Sequence, residues 1–228
     1  AQAAAGKLRD LEGMGEKSEK KILEGIAALE RQGGRMPIGK AKPIATAVLE
    51  RLLTLPQVQE GALAGSIRRG RTTIGDVDIL IVSDDPTPIM QAFVETAGVA
   101  RILGQGESKS SIEMQNGLQI DLRVLPKSRW GTALQYFTGS KDHNVKLRAL
   151  ALDKGYSLNE SAFSPVDSEG VIVEDAPKIT FDNEEAAYRF LGLPYIAPEL
   201  REDSGEIEAA QRGTLPNLIT IADIHADL

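Results

Sequence analysis

Two aspartates stand two residues apart at the head of an apolar run, Gly75-Asp76-Val77-Asp78-Ile79-Leu80-Ile81-Val82. An alternating start followed by unbroken aliphatic residues marks a strand that is buried on at least one face. Side chains at i and i+2 of a strand leave by the same face, roughly 6.5–7 Å apart. Both carboxylates therefore share one face, and Val77, Ile79 and Ile81 leave by the other, toward covering helices. Gly75 lets the backbone come close to a ligand at the start of the strand. A third carboxylate, Asp121, lies in a second strand-like stretch, Gln119-Ile120-Asp121-Leu122-Arg123-Val124. Aspartates are rarely buried without a counter-charge, so three of them near strand centres call for cations, either metal ions or arginines. A bare Asp-x-Asp also occurs on solvated or salt-bridged sheet faces, and the spacing alone leaves both readings open.

The surrounding pattern predicts how such a sheet is framed. Ile22, Leu23, Ile26 and Leu29 recur at helical spacing over residues 17–32, with Gly33-Gly34 as the stop, and a second helix is expected over 43–53. Strand-length stretches follow at 76–82, 111–115 and 118–125; Asn116-Gly117 between the last two is a strong hairpin signal. Helical periodicity returns from Leu134 to Leu152, and shorter elements punctuated by Gly170, Pro177, Gly192, Pro194 and Pro198 complete the chain. Helices, then strands, then a mixed end make an α+β fold whose small sheet carries the chemistry. The segment after Arg201 reads as a linker.

Composition removes some chemistries. No cysteine is present, which excludes disulfides, thiolate metal sites and cysteine nucleophiles. No stretch of about 18 apolar residues exists to cross a membrane. The net charge of −7 gives no general attraction for a polyanion, yet basic residues cluster at Lys17, Lys20 and Lys21, at Arg68, Arg69 and Arg71, and at Lys141, Lys146 and Arg148. A basic working face with an acidic remainder is compatible with these positions.

Gly65-Ser66-Ile67-Arg68-Arg69-Gly70 precedes the first aspartate strand. Unshielded amides, a hydroxyl and fixed cations are the parts of an anion-binding turn. Together, this loop, the Asp76-Val77-Asp78 pair and the later Asp121 resemble the polymerase-beta-like nucleotidyltransferase signature. Tyr136-Phe137-Thr138-Gly139-Ser140, His143-Asn144, Arg148, Leu158-Asn159-Glu160 and Leu193-Pro194-Tyr195 with Pro198-Glu199-Leu200-Arg201 narrow the resemblance to bacterial-type family X DNA polymerases, over nearly the whole chain.

The resemblance implies a template-directed DNA polymerase for gap-filling repair synthesis, as in base excision repair. The expected fold is a small mixed palm sheet flanked by helices, with an N-terminal helix-hairpin-helix and a C-terminal mixed thumb. It divides the chain into residues 1–56 (hairpin), 57–128 (palm), 129–205 (thumb) and 206–228 (linker). Asp76, Asp78 and Asp121 would hold two divalent ions, Mg²⁺ or Mn²⁺, with Asp121 completing the catalytic metal site and receiving the primer hydroxyl's proton. Gly65, Ser66, Arg69 and Gly75 would take the triphosphate of a dNTP. Tyr136, Phe137 and Gly139 would pack against its sugar, and Asn144 and Arg148 would contact nucleotide and template. Gly13, Gly15 and Lys17, in the turn of the helix-hairpin-helix, would meet a DNA phosphate. The implied partners are dNTP and gapped or primer-template DNA, and the implied protein is a cytoplasmic, nucleoid-associated monomer. Neither a deoxyribose-phosphate lyase nor a metal-dependent exonuclease is expected, and His225 has no ligand role. Gln119 stands where vertebrate members carry an arginine, which changes the charge around Asp121. A catalytically weak DNA-binding piece and a transferase with a non-DNA acceptor are the competing readings.

Overall fold

The structure, a computed structural model, describes residues 15, 35–219 and 223. The helix read over 17–32 and the hairpin residues Gly13 and Lys17 lie outside the described residues. Strand β1 (Met36–Pro37) leads into helix α1 (Ile38–Leu53) and pairs with β3 (Thr73–Ile74). Between them come β2 (Glu60–Leu63) and the single-turn helix α2 (Gly65–Arg68); β4 (Asp76–Val82), helix α3 (Thr87–Val94), β5 (Val99–Gln105), β6 (Lys109–Met114) and β7 (Gln119–Leu125) follow. Strands β2, β4, β7, β6 and β5 form one sheet in that spatial order; β4 and β7 are parallel and their other pairings antiparallel. At the β6–β7 turn, Gly117 takes the positive φ of 82° that the Asn-Gly pair supplies.

The two faces of the sheet differ. Val77, Ile79, Ile81, Ile112, Ile120, Leu122 and Val124 pack with Ala45, Val48 and Leu52 of α1 and Ile89 and Phe93 of α3. On the opposite face, Leu80, Val82 and Leu125 meet Trp130, Ala133 and Leu134 of helix α4 (Trp130–Thr138). Helix α1 begins five residues earlier than expected and belongs to the palm core, not to the hairpin region of 1–56. It runs through Pro43, giving up one bond to the carbonyl of Gly39. Burial of Ala41 and Ala45 against the sheet outweighs that loss.

The helical stretch from Leu134 onward is two helices. Gly139 has φ 72° and ψ −152°, a region that essentially only glycine enters, and it stops α4. Ser140 then caps helix α5 (Lys141–Asp153), its hydroxyl accepting from the His143 amide. A short hairpin of β8 (Tyr156–Leu158) and β9 (Phe163–Pro165) leads to helix α6 (Glu184–Phe190), capped by Asn183, and then to helix α7 (Glu206–Arg212). Leu147, Ala151, Phe163, Tyr188, Ile196, Ile207 and Ala210 make the thumb core. The last two correct the linker reading of 206–228: through residue 212 the chain is a packed helix. Among the described residues, no helix is long and apolar enough to cross a membrane.

Candidate functional site

The parallel register of β4 and β7 sets Asp78 beside Asp121 and Asp76 beside Gln119. Parallel partners present their side chains to the same face, so Asp76, Asp78 and Asp121 gather at one end of the sheet, on the face turned away from α1 and α3. Asp76 is exposed; Asp78 and Asp121 are half-buried. Burial, followed by the charges of Asp76 and Asp121, pushes the Asp78 carboxyl from 3.8 up to about 7, with Arg123 and Lys109 opposing. Gln119 donates from Nε2 to Asp121 Oδ1 at 3.1 Å. The amide orients that carboxylate without neutralising it.

This crowding has a measurable sign. A carboxyl that ionises near 7 when folded and near 3.8 when unfolded stabilises the protonated fold below 3.8, and that stability is lost as pH rises through 7. In the metal-free protein, Asp78→Asn is therefore expected to melt close to wild type at pH 4 and several degrees above it at pH 8. Equal melting temperatures at pH 8 would show that neither burial nor the neighbouring charges penalise the ionised Asp78 carboxylate.

Helix α2 abuts this cluster. The Ala64 amide donates to the Asp78 carbonyl at 2.8 Å, and Gly65 has φ +64°. A Cβ on Gly65 would lie 2.8 Å from Asp78 Oδ2, so glycine is needed both for the turn and for the close approach. The two arginines that follow part ways. Arg68 turns toward the thumb, donating to Thr138 Oγ1 at 2.6 Å and to both oxygens of buried Glu184, which also pairs with fully buried Arg201. Arg69 stays at the cleft, with Nε on Glu202 at 2.7 Å and Nη1 on the Thr138 carbonyl at 2.6 Å. A Cβ on Gly139 would sit 3.0 Å from Arg69 Nη1.

A cleft of about 450 Å³ opens between palm and thumb. Gly65, Ser66, Arg69, Asp76 and Asp78 line it from the palm, and Tyr136, Phe137, Gly139, Asn144 and Arg148 from the thumb. Of the other residues singled out in the sequence, Asp121 adjoins it through Asp78, and Gly75 leaves room for Arg35, whose Nη1 would be 3.2 Å from a Cβ there. Arg35 and Lys141 also line the cleft. No motif marks Arg35; its place follows from a fold in which Thr73 of β3 accepts its Nε at 2.9 Å and its Nη2 at 2.6 Å.

The aromatic pair is split in its duties. Tyr136 and Phe137 meet edge to face at 5.4 Å, and Phe137 also carries the Arg123 guanidinium at 4.2 Å over its ring and packs against the inner core. Asn144 ties α5 to α4, donating to the Tyr136 carbonyl at 2.7 Å and accepting from Gln135 at 2.8 Å. Its neighbour His143 is fully buried, bonded to Glu206 at 2.6 Å and to the Tyr188 hydroxyl at 2.9 Å. That makes it a brace between α5, α6 and α7. A larger hollow of about 610 Å³ beside α1 and Met114 is mostly apolar and lacks such a charge cluster.

Among the described residues, no three His, Cys, Asp or Glu side chains form a ready metal cage. A magnesium-type ion does not require one: it is held through one or two carboxylates and completed by water and substrate phosphates. The mutual repulsion at Asp78 is what such a cation would relieve, so the residues fit.

Comparison with known proteins agrees with this geometry. Residues 35–126 match the DNA polymerase beta palm and residues 133–202 the DNA polymerase beta thumb. The chain is 33% identical over 224 residues, 97% of its length, to DNA polymerase/3'-5' exonuclease PolX of Bacillus subtilis. It is 33% identical over 167 residues to DNA polymerase lambda of Rattus norvegicus, and 27% over 173 residues to that of Arabidopsis thaliana, matches covering 60% and 65% of this chain. The chain spans 38% of the length of the Bacillus protein, 28% of the rat one and 32% of the Arabidopsis one.

Proposed function

The chain belongs to the bacterial-type family X DNA polymerases, as a polymerase core, and on that premise we propose that it is a template-directed DNA polymerase that fills short gaps by adding dNTPs to a primer 3′-hydroxyl. The observation that carries this reading is the meeting, at one cleft, of Asp76 and Asp78, with Asp121 beside Asp78 on the adjoining strand, and of Ser66 and Arg69 from the palm with Tyr136 from the thumb. Asp76, Asp78 and Asp121 would hold two Mg²⁺ or Mn²⁺ ions. When bound, such ions stabilise both the attacking and the leaving oxygen of an in-line displacement.

The protein's own residues do the rest. Ser66 and Arg69 bind the triphosphate and offset the charge that builds on the departing pyrophosphate. Asp121, held at one oxygen by Gln119, accepts the primer hydroxyl's proton. The 3′-oxygen then bonds to the α-phosphorus as the bond to the β-phosphate breaks. Tyr136 and Phe137 hold the sugar, and the Tyr136–Gly139 segment crowds the place of a ribose 2′-hydroxyl. Asn144 and Arg148 contact nucleotide and template, and the basic side chains of Arg148 and Lys141 at the cleft favour the DNA backbone. The working form is a monomer on gapped DNA of the nucleoid.

The test is incorporation on a duplex with a one-nucleotide gap, given each dNTP in turn with Mg²⁺ or Mn²⁺. The expected outcome is extension with the complementary dNTP, little with the other three, and none after chelation. Incorporation indifferent to the template base, or gap binding without incorporation under either metal, would refute the proposal.

A further inference from the structure

Arg69 reaches the cleft already clamped from outside it. Its Nε donates to Glu202 and its Nη1 to the Thr138 carbonyl, and its side chain is only 12% exposed. A guanidinium carries five N–H donors in one rigid plane. Fixing Nε and one Nη1 hydrogen fixes that plane and leaves the remaining donors, including both on Nη2, for the cleft that Arg69 lines.

Glu202 is itself held by its neighbours. Arg201 before it is fully buried, donating to the Ile196 carbonyl at 2.8 Å and to Glu184 at 2.7 Å, while its own carbonyl accepts the Ser140 amide at 3.0 Å. After it, the amides of Asp203 and Ser204 donate to the Glu206 carboxylate at 3.0 and 2.7 Å, and Glu206 is paired with buried His143. Lys146 holds Asp203 at 2.6 Å. A carboxylate on a free tail gains little from an exposed arginine. One presented from a turn anchored on both sides forms a preorganised, charge-assisted bond.

We propose that Glu202 is a positioning residue for nucleotide binding: it aims Arg69 at the triphosphate, so that the turn ahead of α7 sets the affinity of the cleft for its nucleotide. The inference rests on the reading of that cleft as the dNTP site. It contrasts with a carboxylate that competes with phosphate for the arginine, because the two roles change affinity in opposite directions.

Gap-filling kinetics on Glu202→Ala, Glu202→Gln, Arg69→Ala and the Glu202→Ala/Arg69→Ala double variant, each checked by thermal melting, decide it. Loss of one charge-assisted contact is expected to raise the KM for dNTP about tenfold in Glu202→Ala, with kcat changed less than about threefold. The Gln variant, whose amide oxygen still accepts from Nε, recovers most of that affinity. In the Arg69→Ala background the Glu202 substitution has no further effect on KM, since its other partner, exposed Arg71 at 3.7 Å, does not line the cleft. An unchanged or lower KM in Glu202→Ala, or an equal penalty with and without Arg69, overturns the proposal while leaving the dNTP site standing. Failure of the wild-type protein to bind dNTP overturns both.

Discussion

Replacing Asp121 by alanine is expected to reduce single-nucleotide incorporation by about 10³-fold or more, a loss of about 4 kcal/mol of transition-state stabilisation. Affinity for gapped DNA and the melting temperature should stay close to wild type. Asp121 is half-buried and adjoins the cleft through Asp78, so its removal opens no large cavity in either core. It also relieves one of the charges that raise Asp78, so stability at neutral pH should not fall. Asp121→Asn is the sharper control, because it keeps the shape and can still bond Gln119. If the carboxylate is needed as metal ligand and proton acceptor, Asn is as inactive as Ala. Undiminished incorporation by either variant, measured under single-turnover conditions, would remove the three-carboxylate centre from the mechanism.

The largest structural effect is expected at Gly131, on the first turn of α4. Alanine in place of glycine within a helix ordinarily stabilises by roughly 0.5–1 kcal/mol. Here the added Cβ would lie 2.1 Å from both the carbonyl carbon and the oxygen of Asn183, and 2.5 Å from its Cα. These are backbone atoms of the residue that caps α6, so no side chain can swing aside. The junction is also hydrogen-bonded: the Gly131 and Thr132 amides donate to the Phe181 carbonyl at 2.8 and 3.2 Å, and the Phe181 amide donates to Thr132 Oγ1 at 3.0 Å. Overpacking against such a contact reverses the sign and costs about 3 kcal/mol or more. For a chain of this size that is a fall in Tm of about 6–12 °C. Because α4 also carries Tyr136 and Phe137, incorporation should drop even below the melting transition. A Tm within a degree of wild type would mean that α4 and α6 do not meet through this glycine.

The strand positions of the carboxylates are legible in the sequence because strand periodicity is short and local. Asp76 and Asp78 share one face by spacing alone, and Asp121 is legible only as a residue of a second strand; that it lies beside Asp78 follows from the parallel register of β4 and β7. The loop over residues 65–69 is by itself an ordinary basic turn and gains meaning only in combination with the aspartates. What was not readable depended on tertiary burial. Pro43 resembles a helix start, but packing of Ala41 against the sheet draws the helix past it. Gly139 divides the helical stretch from Leu134 to Leu152 by its backbone conformation, φ 72° and ψ −152°, which apolar spacing does not report. Helix α7 offers only Ile207 and Ala210 as buried apolar residues amid acids and so looks like a linker; burial of Glu206 against His143 supplies the missing drive. Arg35 reaches the cleft only because β1 and β3 pair, and Glu202 reaches Arg69 only because Arg201 is buried.

The most direct measurement is a crystal structure of the protein with one-nucleotide-gapped DNA, Mg²⁺ and a non-hydrolysable analogue of the complementary dNTP. The expected complex has the triphosphate against Ser66 and Arg69, the sugar against Tyr136 and Phe137, and the α-phosphorus facing the primer end beside Asp78 and Asp121. A nucleotide seated elsewhere, such as in the hollow beside α1, or one whose phosphates lie away from Arg69 and the three carboxylates, would contradict it.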